Sequence, residues 1–204
     1  MEYSVQGVDN VPIIEINALF DLYNATNGPD WAWGQAPGSR WNFSSDANPC
    51  IDNWQGVSCT TSYIDGYLHV ENLELPAYQL RGSIPESIGN LSKLINLALP
   101  YNYLSAGPIP DTIGNLSLLR SLHLDNSLLP GRIPTSLGNL LKLTELELTT
   151  NYLTGSIPDA LCALYQLTGL YLDACELSGS IPSCFANLTE LQVLQLSQNA
   201  LTGT

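Results

Sequence analysis

Positive charge is scarce in this chain of 204 residues, where 6 Lys and Arg stand against 19 Asp and Glu and the formal net charge is −13. Because phosphate binding depends on clustered Lys and Arg, nucleic acid and anionic membranes are excluded as partners. Two histidines and no C-x2-C pair leave no zinc pattern. No apolar run approaches the ~18 residues of a membrane span. The composition, 45% hydrophobic and 12% charged, excludes a disordered acidic tail and predicts a single folded domain or repeat array.

The first ten residues, MEYSVQGVDN, lack the basic and apolar segments of a secretory signal. Five N-x-S/T sequons and five cysteines nevertheless favour the secretory pathway. We therefore expect an extracellular or cell-surface protein whose signal sequence is not part of this chain, carrying N-linked glycans. The odd cysteine count leaves at least one thiol unpaired or bridged to another chain. The candidate glycosylation sites are Asn24, Asn42, Asn90, Asn115 and Asn187.

A segment with the pattern LxLxxxxLxGxIP recurs along the chain. One leucine of each copy returns at intervals of 24, 25, 24, 24 and 24 residues, and the single extra residue falls in a turn at Ser105-Ala106. A Leu-rich period of 20–29 residues is typical of a leucine-rich-repeat solenoid. We therefore predict an α/β repeat solenoid, a right-handed superhelix with a concave parallel sheet. The recurring leucines are Leu75, Leu99, Leu124, Leu148, Leu172 and Leu196.

The residue type at each position of the repeat is explained by its place in the coil. The leucines of LxxLxL point into the coil, and the residues between them face solvent on the concave sheet. Three positions after the last leucine, a buried Asn can bond backbone groups freed by the turn. Cys175 occupies this ladder position in one coil, so we expect it to be a buried, unreactive thiol. The ladder positions hold Tyr78, Asn102, Ser127, Asn151, Cys175 and Asn199.

The repeat resembles the plant-type subclass of leucine-rich repeats, whose consensus is LxxLxLxxNxLxGxIPxxLGxLxx. The match covers residues 68–204 with five full copies and part of a sixth. The subclass occurs in ectodomains of receptor-like kinases, in receptor-like proteins and in polygalacturonase-inhibiting proteins. The resemblance implies a second short sheet from the Gly-x-Ile-Pro segments and 3₁₀ turns on the convex side. From the residues themselves we expect no cofactor and no metal.

Residues 1–67 form the predicted N-terminal cap. Apolar residues at helical spacing predict a helix over about 12–24. Trp41, Asn48-Pro49-Cys50 and the segment from Trp54 to Cys59 resemble the cap of the same family (W…PC…WxGVxC), which implies a Cys50–Cys59 disulfide. Trp31 and Trp33 lie in a longer loop than the family's usual cap; we expect them to pack over the first coil, with a binding role as the alternative.

Two features concern the end of the array. Cys162 and Cys184 are 22 residues apart, two short of one period, so they should lie on neighbouring coils of the convex side. A disulfide needs Cα atoms ~4.4–6.8 Å apart, and we predict one between them. The sequence stops at Thr204 in mid-repeat without a C-terminal cap. It is either a fragment or a chain whose last coil self-associates by end-on stacking.

Aromatic and acidic residues coincide on the concave positions of the second to fifth repeats. Strands ~4.8 Å apart make this patch only ~15 Å wide, enough for a peptide or a loop. Its acids favour a basic partner. The alternative is a solvated face that simply lacks lysine. The candidate ligand-binding residues are Tyr101, His123, Asp125, Asn126, Glu145, Glu147, Tyr171 and Asp173.

Three functions remain open. The favoured one is an extracellular recognition module that binds a protein or peptide ligand through its concave face. The second is a structural matrix or filament-forming glycoprotein assembled end-on, and the third an inhibitor of a cell-wall-degrading hydrolase. We expect no enzymatic activity, since Glu145 and Glu147 face out of an open sheet that should not raise a carboxyl pKa by burial, and no nucleophile or phosphate-loop motif is present.

Overall fold

The computed structural model describes residues 11–203; residues 1–10, the start of the predicted cap, and Thr204 lie outside the described residues. Helix α1 spans Ile13–Ala25, one residue later than the sequence indicated. It buries Ala18, Leu19 and Leu22 on one side because these residues share a face at helical spacing. A 3₁₀ turn at Gly28–Asp30 follows and leads into the Trp-rich loop.

The cap closes on the first coil through an aromatic cluster. The rings of Trp31 and Trp33 both contact Tyr78, with centroids 6.4 and 6.1 Å apart. This is the packing predicted for the two tryptophans. A disulfide joins Cys50 to Cys59, as the family resemblance implied. The cap is thus held by ring packing on one side and by a covalent bond on the other.

Within residues 11–203 there are eleven strands, which form two sheets. The concave sheet has the order β1-β2-β3-β4-β6-β8-β10, parallel except for the antiparallel β1–β2 pair. Its register keeps the central leucine of each strand at one level, so the coil core is a stack of leucines. The predicted concave parallel sheet is confirmed. The strands are β1 Val57–Cys59, β2 Val70–Glu74, β3 Asn96–Ala98, β4 Ser121–His123, β5 Pro130–Arg132, β6 Glu145–Glu147, β7 Tyr152–Gly155, β8 Gly169–Tyr171, β9 Glu176–Ser180, β10 Val193–Gln195 and β11 Ala200–Thr202.

The second sheet, here called the lateral sheet, consists of β5, β7, β9 and β11. It is built by the segments that lead into Gly-x-Ile-Pro, as the resemblance implied. It begins at β5, in the coil that follows the extra residue at Ser105-Ala106. Before that point only an isolated bridge between Arg81 and Tyr103 continues the pairing.

The convex side carries one 3₁₀ helix per coil, each starting directly after the proline of the Ile-Pro pair, which fixes the backbone for a turn. Cys162 and Cys184 lie in adjacent 3₁₀ helices, and the structure joins them by a disulfide with Cα atoms 5.8 Å apart. The 3₁₀ helices are Glu86–Asn90, Asp111–Asn115, Thr135–Asn139, Asp159–Ala163 and Ser183–Asn187.

Every coil turns off the concave sheet through one residue with a left-handed backbone, from Ala77 (φ 58°) to Gln198 (φ 54°). The ladder residue that follows satisfies the groups this turn frees. Asn151 donates to the carbonyls of Leu124 and Leu148 at 2.9 and 2.8 Å and accepts from the Leu129 amide at 2.9 Å. Such repeated bonds hold the coils in one register.

Candidate functional site

The centre of the predicted patch is His123 on β4, which lies beside two carboxylates of β6. Its Nε2 is 3.1 Å from Oε2 of Glu145, and its Nδ1 is 3.9 Å from Oε2 of Glu147. Both contacts follow from the register, in which Ser121 pairs with Glu145 and His123 with Glu147. One imidazole therefore faces two carboxylates, so the group carries excess negative charge whether or not the ring is protonated.

The pKa of Glu147 is shifted by burial, which an open sheet would not predict. Burial raises the pKa of its carboxyl, the carboxylates of Asp125 and Glu145 raise it further, and His123 opposes them. The expectation that no carboxyl here would be perturbed by burial was wrong. The reason is that the neighbouring strands place side chains around Glu147, which leaves it about a third exposed.

Asp125 contributes to the patch differently from what the sequence suggested. Its residue is only 6% exposed, and its Oδ2 accepts a hydrogen bond from Nδ2 of Asn126 at 2.9 Å. A ligand can touch little of it. We correct its role from a contact residue to a fixed negative charge behind Glu147, held in place by Asn126.

Tyr171 lies on β8, directly beside Glu147 in the register. Its ring covers Gly169, since a methyl group added to that glycine would meet Cε2 of Tyr171 at 2.7 Å. The absence of a side chain at Gly169 therefore lets the tyrosine lie across its own strand. This places an aromatic ring next to the two glutamates.

The two remaining candidates lie at the borders of the patch. Tyr101 follows β3 in the left-handed turn (φ 58°) and is 61% exposed. Asp173 accepts hydrogen bonds from the amide and hydroxyl of Ser197 at 2.7 and 2.6 Å, so one of its oxygens is committed to the next coil. The structure thus gathers His123, Glu145 and Glu147 tightly, with Tyr171 beside them, and leaves these two at the margins.

Sequence reasoning missed two residues that shape this cluster. The hydroxyl oxygen of Ser121 is 3.0 Å from Nε2 of His123, on the same ring nitrogen that faces Glu145. Gly169 provides the space for Tyr171. The signal for Ser121 was its position two residues before His123, which puts both side chains on one face of the strand.

All five sequon asparagines are exposed. Three of them end the 3₁₀ helices at Asn90, Asn115 and Asn187, so glycans there would project from the convex side. In the first sequon, the Thr26 hydroxyl is buried and donates to the Leu22 carbonyl at 2.6 Å. Glycosylation at these sites stays a prediction.

Across residues 11–203, no group of His, Cys, Asp and Glu is arranged to hold a metal ion. The same part of the chain contains no helix that is long and apolar enough to cross a membrane. Two shallow cavities of about 270 and 530 Å³ flank Trp54; the first also borders Asn72, Glu74 and Pro76 of the first coil, and neither is lined by residues of the His123 cluster. The side chains of His123, Glu145 and Glu147 are 27, 40 and 33% exposed, so a ligand can reach them.

Two family models match the chain. The leucine rich repeat N-terminal domain matches residues 15–60, and the leucine rich repeat matches residues 142–164 and 166–188. Curated relatives are leucine-rich-repeat receptor kinases of Arabidopsis thaliana, 40–44% identical over 55–91 residues. The chain spans only 5–6% of the length of these relatives.

Solved structures match over most of the chain. The ectodomain of the receptor kinase GASSHO1/SCHENGEN3 from Arabidopsis thaliana, in complex with CASPARIAN STRIP INTEGRITY FACTOR 2, is 36% identical with a TM-score of 0.80 and covers 92% of this chain and 21% of its own. A plant ice-binding protein is 31% identical with a TM-score of 0.80, over 97% and 59%. A chain of the BIR3–SERK2 complex from Arabidopsis thaliana is 33% identical with a TM-score of 0.74, over 93% and 95%. With its matched cap, repeats and near full-length counterpart, this chain belongs to the plant leucine-rich-repeat family.

Proposed function

We propose that the chain is an extracellular recognition module that binds a protein or peptide ligand through its concave sheet. The observation that carries this proposal is the cluster in which one imidazole, His123, lies between Glu145 and Glu147. Tyr171 is the neighbour of Glu147 in the register. Tyrosine is among the residues enriched at interface hot spots.

The charge of the cluster argues for a basic ligand. Within residues 11–203, no Lys or Arg forms an ion pair with any carboxylate; the ion pairs present all involve histidine. Glu145, Glu147 and the fixed charge of Asp125 therefore lack a strong cationic partner in the protein. A Lys or Arg of a ligand would supply it and would reverse the rise in the Glu147 pKa. The same field would speed the encounter with a basic ligand.

The relatives support the same class of function. GASSHO1/SCHENGEN3 was solved with CASPARIAN STRIP INTEGRITY FACTOR 2, the peptide hormone receptor RGFR1 with RGF2, and PEPR1 with AtPEP1. The GASSHO1/SCHENGEN3 structure is the ectodomain of a membrane receptor kinase, which favours an extracellular location here as well. Ectodomains of this kind act by binding, so we infer that the chain has no catalytic activity of its own.

A display selection tests the proposal. A random peptide library is selected on the immobilised protein, and the bound peptides are measured against Glu145→Gln/Glu147→Gln/Tyr171→Ala. We expect the enriched peptides to carry Lys or Arg and to bind this variant at least tenfold more weakly. Glu86→Gln/Asp111→Asn, which removes two exposed convex-side charges, is the matched control. Equal binding to wild type and the concave variant would refute the assignment.

A further inference from the structure

The outer face of the lateral sheet carries large side chains that the coil core does not use. Tyr103, Leu128 and Tyr152 occupy the same position, directly after the ladder residue, in three successive coils. Tyr103 is 42% exposed and Tyr152 54%. Leu128, at this position of the intermediate coil, is half-buried and has a left-handed backbone (φ 60°), a costly conformation for a bulky residue. Partly exposed apolar side chains thus recur in three coils on a side of the molecule distinct from the concave patch.

An arginine is fixed at the N-terminal end of this set of side chains. Arg81 is bridged to Tyr103 through the backbone, and its guanidinium carbon lies 4.4 Å from the centre of the Tyr103 ring. Stacking on an aromatic face orients a guanidinium and leaves its N–H donors directed outward. Arg81 is therefore preorganised although it lies at the surface.

A second arginine is held on the same face. The stem of Arg132 lies over β7, because a methyl group added to Gly155 would meet its Cγ and Cδ at 3.3 Å and its Nε at 3.2 Å. Thr154 is its neighbour in the register, and Pro130 is the neighbour of Tyr152. Because Gly155 has no side chain, the aliphatic stem of Arg132 can pack directly against strand β7.

The two guanidinium groups stand out in a protein with 6 cations and 19 acids. Neither has a carboxylate within 4.0 Å among residues 11–203, where every ion pair involves histidine. Glu176, the acid closest in the register, lies one strand beyond Thr154 and pairs with Thr154 rather than Arg132. Arg81 on Tyr103 and Arg132 on β7 therefore give this part of the lateral sheet two positioned cations, in contrast to the acidic concave patch.

The open edge of β5 is not where a partner would attach. Pro108 packs against this edge, 2.9 Å from the position that a Gly131 side chain would take. The strand also begins with Pro130, which has no amide hydrogen to donate. Addition of a strand at the β5 edge is therefore blocked, so a partner that uses both arginines has to lie across the face.

We propose that this lateral face is a second docking surface, selective for a protein segment that carries carboxylates next to apolar side chains. The guanidinium groups of Arg81 and Arg132 would each donate hydrogen bonds to a carboxylate in the forked geometry that guanidinium favours. Tyr103, Leu128 and Tyr152 would pack on the apolar part, as tyrosine and arginine do in interface hot spots. The two arginines lie two coils apart, a separation of at least ~10 Å at ~4.8 Å per strand, so the partner needs at least two spaced acids. This surface goes beyond the concave function and would let the module hold two partners at once.

The test is a selection on the intact chain with a random peptide library. Peptides that bind the wild type are counter-selected on Arg81→Glu/Arg132→Glu, and their affinities are measured by biolayer interferometry. We expect a class rich in Asp and Glu that loses at least tenfold in affinity on this variant and on Tyr103→Ala/Tyr152→Ala. The same peptides should keep their affinity for Glu145→Gln/Glu147→Gln, which separates this surface from the concave site.

Lys93→Glu/Lys142→Glu is the matched control, because it makes the same charge change on the other side of the coil. It should leave the acidic peptides bound within threefold, and circular dichroism should show all variants folded. If no acidic class is enriched, the proposal is overturned. An acidic class that binds the lysine variant as weakly as the arginine variant would also overturn it, since the effect would then be general attraction. If the selection enriches acidic peptides but no basic ones, the concave function is rejected and the lateral surface is supported.

Discussion

Glu15 and His69 form a buried pair that ties the cap to the first coil. Oε1 of Glu15, in α1, lies 2.6 Å from Nδ1 of His69, and Oε2 accepts the Val70 amide at 2.9 Å. The other ring nitrogen of His69 is 3.2 Å from the Ile64 carbonyl. Both ring nitrogens thus face oxygens, so the pair is satisfied when a proton lies between Glu15 and Nδ1 and another on Nε2. One carboxylate connects the helix with strand β2.

Replacement of Glu15 by Ala should be strongly destabilising. It leaves the His69 ring and the Val70 amide buried without their partner, and breaking a buried pair in this way costs about 3–5 kcal/mol. The free energy of unfolding, measured by urea denaturation at pH 6, is expected to fall by that amount. Asp21→Asn, an exposed position of the same helix, is the control and should change it by less than ~0.5 kcal/mol. A Glu15→Ala protein as stable as the control would show that the pair does not hold the cap.

The Asn ladder gives a second prediction. Asn151 bonds two carbonyls and two amides of neighbouring turns at 3.2 Å or less, including the Ser127 amide. Each buried backbone group left unsatisfied costs about 1–3 kcal/mol, so Asn151→Ala should lose at least ~3 kcal/mol. Cys175→Ala, at the same position one coil later, removes only two long contacts of 3.4 and 3.5 Å from sulfur and should cost clearly less. Equal losses in urea denaturation would contradict a role for the amide.

The repeat explains which parts of this structure were predictable. A leucine such as Leu146 recurs at a fixed step, and its packing partners are the same residues one period away. Asn151 and the Cys162–Cys184 pair were predictable for the same reason, since one coil dictates the next. The periodic pattern therefore predicted the concave sheet and the ladder, whereas the lateral sheet and the convex 3₁₀ turns were implied by the resemblance to the plant-type repeat.

The unpredicted features depend on side-chain contacts that the repeat consensus does not specify. Glu15 of the cap and His69 of the first coil are 54 positions apart, and the cap has no internal period, so no spacing indicated their contact. On the concave face, the pattern placed Asp125 outward but could not tell that Asn126 would bond it and that its neighbours would bury it. Such burial depends on the side chains of three adjacent strands at once. The stacking of Arg81 on Tyr103 likewise depends on the particular side chains of two adjacent coils, which the consensus leaves variable.

The convex disulfide leads to a third prediction. It closes a loop with a sequence separation of 22, for which loss of a cross-link costs ~3 kcal/mol. Cys162→Ala/Cys184→Ala should unfold at a correspondingly lower urea concentration than the wild type. Cys175→Ala, a buried thiol that forms no disulfide, is the cysteine control. If a reducing agent lowers the stability of the double variant as much as that of the wild type, the loss arises elsewhere.

Glu147 provides a pH-dependent prediction. Its pKa is raised in the folded protein by burial and by Asp125, whereas an unfolded glutamate titrates near ~4.3. The folded state therefore binds more protons between these two values, and stability falls as pH rises through that window.

Glu147→Gln removes the buried charge, so at pH 7 it should be more stable than the wild type, by less than ~1 kcal/mol because the side chain is partly exposed. Below the unfolded value both carboxyl and amide are neutral, and the difference should disappear. Glu86→Gln, the same substitution at an exposed convex-side position, is the control. Thermal unfolding at pH 3.5 and pH 7 measures the difference, and a variant less stable than the wild type at pH 7 would mean that the His123 contact outweighs the burial of the charge.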